Sequence, residues 1–373
     1  MNFSLTDEQA ALKDTLAKFI ERDYSFDQRW KIIGSQMGWS REHWSKLADI
    51  GAMALPVAES DGGLGGNGVD TMVVMEQLGR GLVVEPYLGC VILPVALLTQ
   101  GASDIERAGL LERIASGESM VAFAHTDAGS RYEREQLKTR ATFANGAYSI
   151  TGNKIAVLGG DCAELLLVSA KVDQDAAASL FLVQTHATGV ARFPYPMQDA
   201  QRGADISFVN APAVLLGERA SAQAAIDYAL DAACAALSAE AIGAMSELHK
   251  ITVEYLKTRK QFGRAIGMNQ ALQHRAVDML MHLEMSRSMA MEAAVAMSEP
   301  NAQLRAKSIS AAKVLVGQAC RFVGQQAVQL HGGIGVTHEL NVAHYFKRLT
   351  MIGASFGDCD WHLARYGESL LAA

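Results

Sequence analysis

"ASAQAAIDYALDAACAALSAEAIGAMSELHKITVEYLKTR", residues 220–259, is alanine-rich, free of proline, and broken only by Gly243. Alanine favours helix most and proline ends it, so this stretch predicts one helix of roughly 40 residues. Two further proline-free segments follow at 269–297 and 302–330. In the second, Leu304, Ile309, Ala312, Val316, Ala319, Val323, Ala327 and Leu330 keep a spacing of three to five. That spacing predicts the inner stripe of a bundle helix. The six methionines between 279 and 297 read as core filler. Residues 218–373 therefore predict a C-terminal four-helix bundle.

Upstream the pattern changes twice. Residues 118–217 hold "RATFANGAYSITGNK" (140–154), where Asn145-Gly146 between alternating segments signals a hairpin. Short apolar runs follow at 163–172, 178–186 and 204–211, which predict a small antiparallel β-domain or barrel. Residues 1–117 return to helix. Thr6 with Gln9 forms a capping-box pattern, and Leu12, Leu16, Phe19 and Ile20 make one apolar stripe. Segments 39–55 and 69–82 predict further helices around a glycine-rich loop at 61–68. The fold class is thus mainly α with a β insert: an N-terminal helical domain, a middle antiparallel β-domain and the C-terminal bundle.

Composition narrows the function. The chain has 373 residues, half of them hydrophobic, a net charge of −7 and a pI near 5.8. That balance argues against a nucleic-acid binder, and no apolar run of ~20 residues predicts a membrane span. The start lacks the features of a secretory signal. Five scattered cysteines without a CxxC predict reduced thiols in a cytoplasmic protein and no metal site.

Two segments carry chemistry. "QLHGGIGVTHEL" (329–340) concentrates glycines ahead of a lone acid, Glu339. A dinucleotide fingerprint needs a preceding strand, and a phosphate loop needs GK[ST]; neither is present. "TRKQFGRAIG" (258–267) gathers Arg259, Lys260 and Arg264 at a predicted helix C-terminus. Those cations either complement the helix dipole or clamp a pyrophosphate, with Phe262 beside an aromatic ligand.

Together, in this order, these segments make the chain resemble the acyl-CoA dehydrogenases over nearly its whole length. "RKQFG" followed by "IGMNQALQHRAVDM", then "AVQLHGGIGVTHE", and "VAFAHTDAG" at 121–129 carry the resemblance. "YLKTRKQFG", "HYFKRLTMI" and "FGDCDWHL" are similar to the small subunits of two-component enzymes of the pimeloyl-CoA dehydrogenase type. The resemblance implies FAD and an acyl-CoA whose α-proton goes to a base while the β-hydrogen leaves as hydride to flavin N5, giving a trans-2-enoyl-CoA. It places Glu339 at the base position, where burial would favour proton uptake. It matches Arg259, Gln261 and Phe262 to positions that hold the pyrophosphate and adenine half of FAD, and Gln270 to a further cofactor position. Gln329 and Gly333 match positions that contact FAD across a subunit interface, Gly332 belongs to the glycine run that lets the backbone approach the dinucleotide, and Phe123 and Thr126 match contacts to the isoalloxazine edge. An electron-transfer flavoprotein is the implied acceptor, and the implied assembly is a homotetramer or a heterotetramer with a paralogous large subunit.

The sequence also departs from the family. Ala156-Val157-Leu158 stands where Trp-Ile-Thr often covers the flavin, Tyr132 replaces a serine of the flavin loop, and "SFGDCDWHL" replaces the C-terminal "EGT" segment. These changes keep two alternatives open: a subunit that needs a partner for FAD binding and turnover, and an acyl-CoA oxidase.

Overall fold

The computed structural model describes residues 5–371. Helices α1 (Asp7–Asp23), α2 (Phe26–Ile33), α3 (Arg41–Asp49), α4 (Gly68–Gly81), α5 (Leu93–Gly101) and α6 (Asp104–Ala115) come first. The strands are β1 (Val121–Ala124), β2 (Arg140–Ala144), β3 (Ala147–Leu158), β4 (Leu165–Val172), β5 (Ser179–Gln184), β6 (Val190–Pro196) and β7 (Arg202–Leu216). Then α7 (Gln223–Thr258) leads through a small hairpin, β8 (Lys260–Gln261) and β9 (Arg264–Ala265), to α8 (Gln270–Ala296) and α9 (Ala302–His331). The chain finishes with α10 (Asn341–Ala354) and α11 (Cys359–Leu371). The mainly α class with a β insert is as expected.

The chain divides into two compact units: Met1–Lys31, Gly68–Val83 and Cys234–Ala373 form one, and Ile32–Asn67 and Val84–Ala233 the other. In the first, α9 packs against α8, α10 and α11. Asn301 caps its start by accepting from the Gln303 and Leu304 amides, and Gly332, at φ +66, ends it. The expected stripe is buried from Ile309 to Leu330, but Leu304, expected inside, is 52% exposed. It lies in the first turn, on the side away from Arg305, which is buried. The methionine expectation also needs correcting. Met279 is fully buried, whereas Met281 and Met285 are 58% and 54% exposed, on a face of α8 shared with Val277 and Leu280.

Gly243 does not break α7, because it serves a close approach. A Cβ there would stand 1.8 Å from the Glu76 carbonyl oxygen, and one on Gly79 would stand 2.0 Å from that of Glu240. The two glycines let α4 and α7 touch backbone to backbone. By length and composition α7 could cross a bilayer, but 89% of its most apolar window is buried within the protein, as in a core helix. A bidentate ion pair from Arg348 to Glu240 (2.5 and 2.6 Å) fastens α10 to α7. At the chain start, Thr6 and Gln9 form the expected capping box.

In the second unit, β2, β3, β7, β5 and β4 close into a ring, with β1 added beside β4 and β6 beside β7. Most pairings are antiparallel; β4 runs parallel to β1 and β2. Asn145 and Gly146 turn β2 into β3 with φ of +52 and +80, as a two-residue hairpin of mirror-image type requires. The barrel closes over Ile150, Val157, Leu166, Val168, Phe181, Ile206 and Phe208. The Glu106 carboxylate accepts from the Gly217 amide, tying α6 to the end of β7.

Candidate active site

In the bundle unit, the ends of α7 and α9 meet. The Tyr255 and His331 rings stack at 4.4 Å and 29°, and Tyr255 Oη donates to the His331 carbonyl at 3.4 Å. This brings the two sequence motifs together. Beyond α7, β8 and β9 pair through a two-residue turn at Phe262 and Gly263, with φ of +53 and +81. A left-handed aromatic residue is strained, and Phe262 is also fully exposed. Arg259, Gln261 and Gln270 are exposed too. Arg264 donates to Asn269, but no ion pair joins the Arg259 or Lys260 side chain to another described residue. Those two cations are uncommitted at the end of α7.

At the end of α9, Gln329, Gly332 and Gly333 are exposed. The glycine run works by two different means. Gly332 supplies the left-handed turn, while Gly335 supplies room, since a Cβ there would meet His331 Cβ and the Val328 oxygen at 2.9 Å. Over Gly332 and Gly333 nothing stands within 4 Å of an added Cβ, so the backbone there is open to approach. His331 is 5% exposed; Nδ1 donates to the Ala327 carbonyl at 2.8 Å, and Nε2 is buried without a partner. Burial lowers its proton affinity, which leaves the ring neutral and Nε2 an acceptor.

The Glu339 segment is held from behind. Arg29, 2% exposed, donates from Nε to the Leu82 carbonyl (2.7 Å) and from Nη1 to His344 Nδ1 (3.2 Å). Burial, and then the Arg29 charge, push His344 down to about 4. The neutral ring uses Nε2–H to donate to the His338 carbonyl at 3.3 Å. Trp30 lies edge-on to His344 at 5.2 Å. The backbone beside Glu339 is therefore fixed, but its side chain is exposed and bonded to no other described residue. The burial expected for a base is not supplied by this chain alone. A cavity of about 390 Å³ opens beside Asn341 and Tyr345, but its charged lining is paired internally, Arg80 with Glu21 and Lys250 with Glu247.

In the β unit, Phe123 is 5% exposed and stacks on His125 at 5.2 Å, so its side chain belongs to the core. Thr126, past the strand end, is half-buried, and its carbonyl accepts from the Ile155 amide at 2.8 Å. Sequence reading missed what lies between them. Lys154 is fully buried and pairs with Asp127 at 3.1 Å, and its Nζ donates to the His125 carbonyl at 2.6 Å. Burial lowers Lys154 to about 8, against the pull of Asp127. Burial would raise Asp127, but Lys154 and bonds from Thr139 and Lys138 hold it below its ordinary value. The clue was a lone lysine in a strand otherwise patterned for a barrel. Among the described residues no group of three or more His, Cys, Asp or Glu side chains converges as a metal site.

The uncommitted cations, the open glycine backbone and the orphaned His331 nitrogen fit a large anionic cofactor with hydrogen-bond donors, as FAD is. Comparison with known proteins agrees. Residues 6–118 match the family model for the acyl-CoA dehydrogenase N-terminal domain, and residues 224–371 that for the C-terminal domain. The chain is 30% identical over 346 residues to the acyl-CoA dehydrogenase IpdE2 of Mycolicibacterium smegmatis, covering 92% of this chain and 93% of that protein. Among solved structures it is similar to a variant of the Tcur3481–Tcur3483 steroid acyl-CoA dehydrogenase, with a TM-score of 0.89, 25% identity and 98% of both chains covered. The ChsE4–ChsE5 complex from Mycobacterium tuberculosis shares the fold at a TM-score of 0.90, with 24% identity and full coverage of both chains. The chain belongs to the acyl-CoA dehydrogenase family of FAD-dependent oxidoreductases acting on the CH–CH bond of acyl-CoA thioesters.

Proposed function

We propose that this chain works as one subunit of an oligomeric acyl-CoA dehydrogenase, in which a neighbouring subunit covers the surface carrying residues 259–270 and 329–339. The observation that supports this is the exposure of that surface: Phe262, Gln329, Gly332, Gly333 and Glu339 are all open on a well-fixed scaffold. Bound FAD supplies the hydride acceptor. Arg259 neutralises pyrophosphate charge, with Gln261, Phe262 and Gln270 around the adenine half. Gln329, Gly332 and Gly333 present backbone and amide to the cofactor across the subunit boundary. In the β-domain, the strand carrying Phe123, the turn at Thr126 and the run Ala156–Leu158 face the isoalloxazine.

Glu339 takes the α-proton. The burial that raises a carboxylate's proton affinity comes from the covering subunit and the bound thioester. The acyl group is dicarboxylic, cyclic or aromatic-derived; the likeness to a steroid enzyme favours bulk over a straight chain. An electron-transfer flavoprotein takes the electrons. The partner is a second copy or a paralogous large subunit.

The exposure of Glu339 and the replacement of "EGT" by Ser355–Leu363 favour a second reading, in which this chain completes the flavin site and the partner holds the base. One experiment separates the two. The chain is purified alone and with a paralogous large subunit, and flavin bleaching is followed across an acyl-CoA panel. Loss of bleaching in Glu339→Gln, with FAD still bound, supports the base assignment. Full bleaching by that variant moves the base to the partner. Oxygen consumption without an added acceptor would make the enzyme an oxidase. Protein that is colourless in every assembly overturns the proposal.

A further inference from the structure

A fully buried lysine is costly, and nothing in the reaction uses Lys154. Desolvating an ammonium group costs several kcal/mol, which a single carboxylate rarely returns in full. The position of the pair suggests what it is for. Asp127 and Lys154 form an isolated antiparallel bridge, and the Ile155 amide donates to the Thr126 carbonyl at 2.8 Å. Lys154 Nζ reaches both the Asp127 carboxylate and the His125 carbonyl, so one ammonium holds each end of the 125–127 turn. Asp127 in turn accepts from the Lys138 amide (2.6 Å), the Thr139 amide (3.1 Å) and Thr139 Oγ1 (2.6 Å). Two residues beyond Lys154, Ala156 takes the left-handed φ of +52 and donates its amide to Asp205 at 3.0 Å. Alanine seldom adopts that conformation, so the backbone at 154–158 is held in shape from both sides.

We infer that the Lys154–Asp127 ion pair is a positioning device for the flavin: it locks the 125–127 turn to the 155–158 run so that both present fixed backbone to the isoalloxazine. This rests on the reading above that Thr126 and Ala156–Leu158 face that ring. Lys154 touches neither substrate nor cofactor; it acts through the two backbone runs that it joins. A well-packed apolar side chain at 154 would fill the same volume at less electrostatic cost. What it would lose is the fixed spacing between the runs.

The test is the neutral, near-isosteric pair Asp127→Asn/Lys154→Met. The carboxamide introduced at position 127 would still accept from the two amides and donate to Thr139 Oγ1, and no buried charge would be left alone. Replacing a buried ion pair this way tends to preserve stability. Both proteins are assayed in the assembly in which wild type binds FAD. The inference expects a modest fall in the unfolding midpoint without FAD, from the His125 carbonyl that loses its donor, together with FAD affinity weaker by about 10-fold or more and a blunted flavin absorption band. A folded variant that binds FAD within twofold of wild type, with an unchanged spectrum, overturns the inference and leaves the proposed function standing. Should the variant not fold, amide hydrogen exchange on wild type decides. Adding FAD must protect 125–128 and 154–158 together, and protection of one run without the other overturns the lock. A wild type that takes up no FAD in any assembly overturns the proposed function and the inference with it.

Discussion

Acid should destabilise the β unit through His125, and the size of the effect follows from its surroundings. His125 is 8% exposed, its Nδ1 lies 2.9 Å from Ser169 Oγ, and Lys154 crosses its carbonyl. Burial first, then the Lys154 and Arg134 charges, lower it from 6.5 to about 3. Between those values the unfolded chain holds a proton that the folded one refuses. Stability is therefore complete above about pH 6.5 and is lost as pH falls toward 3. From about pH 7 to about pH 4.5 the loss from this one residue is about 2.5 kcal/mol, at ~1.36 kcal/mol per unit. Asp127, held below its ordinary value, adds to the loss only at lower pH. Lys154 adds nothing in this window, because it is charged in both states. His125→Asn keeps a partner for Ser169 and cannot titrate. Its absolute stability should fall, since it fills less space, but its loss over that pH range should be smaller than wild type's by about 2.5 kcal/mol. Urea unfolding at constant ionic strength measures this, followed by the fluorescence of Trp39 and Trp44, both buried in the same unit. Equal losses in wild type and variant would refute the claim that His125 is buried neutral.

Three further outcomes are expected. Glu240→Gln leaves the Arg348 guanidinium, 7% exposed, without its bidentate partner and should cost about 3–5 kcal/mol, whereas Glu240→Met/Arg348→Met should cost much less; thermal unfolding compares them. Gly243→Ala gains about 1 kcal/mol of helix propensity but places a methyl 1.8 Å from a backbone oxygen, so overpacking of about 1–3 kcal/mol should win, and a stabilised variant would contradict the close approach of α4 and α7. Met281→Ser/Met285→Ser removes exposed apolar surface from α8 and should shift the protein to a smaller assembly without lowering the stability of the separated chain, as read by sedimentation and by chemical denaturation.

Much of the fold could be read from sequence because its signals are local and repeated. A three-to-five spacing sustained along α9, a capping box at Thr6 and an Asn-Gly turn each specify backbone without reference to distant residues. The misread positions share a cause. Met281, Met285 and Leu304 are apolar at helical spacing, yet lie outside the packed interior of this chain. An amphipathic stripe reports that a face is buried somewhere, and cannot say whether another helix of the same chain buries it. The same limit governs the site. Motif spacing pointed to Glu339, Phe262 and the glycine run but could not say what covers them; the structure fixes the backbone beside Glu339 through Arg29 and His344 and leaves the carboxylate open in this chain. Which way Phe123 faces could not be read in advance, for a strand residue's facing depends on register; its side chain is buried against His125. The Lys154–Asp127 pair showed in sequence only as a lone lysine within a strand, and its partner could not be named, since the two meet only when the turn after β1 closes on β3. Where the chain accepts a cost that its own packing does not return, as in a buried lysine, a left-handed alanine or an exposed phenylalanine, the proposed function assigns the compensation to the cofactor and the neighbouring subunit. Those are the positions at which substitution should change FAD binding or assembly more than it changes the fold.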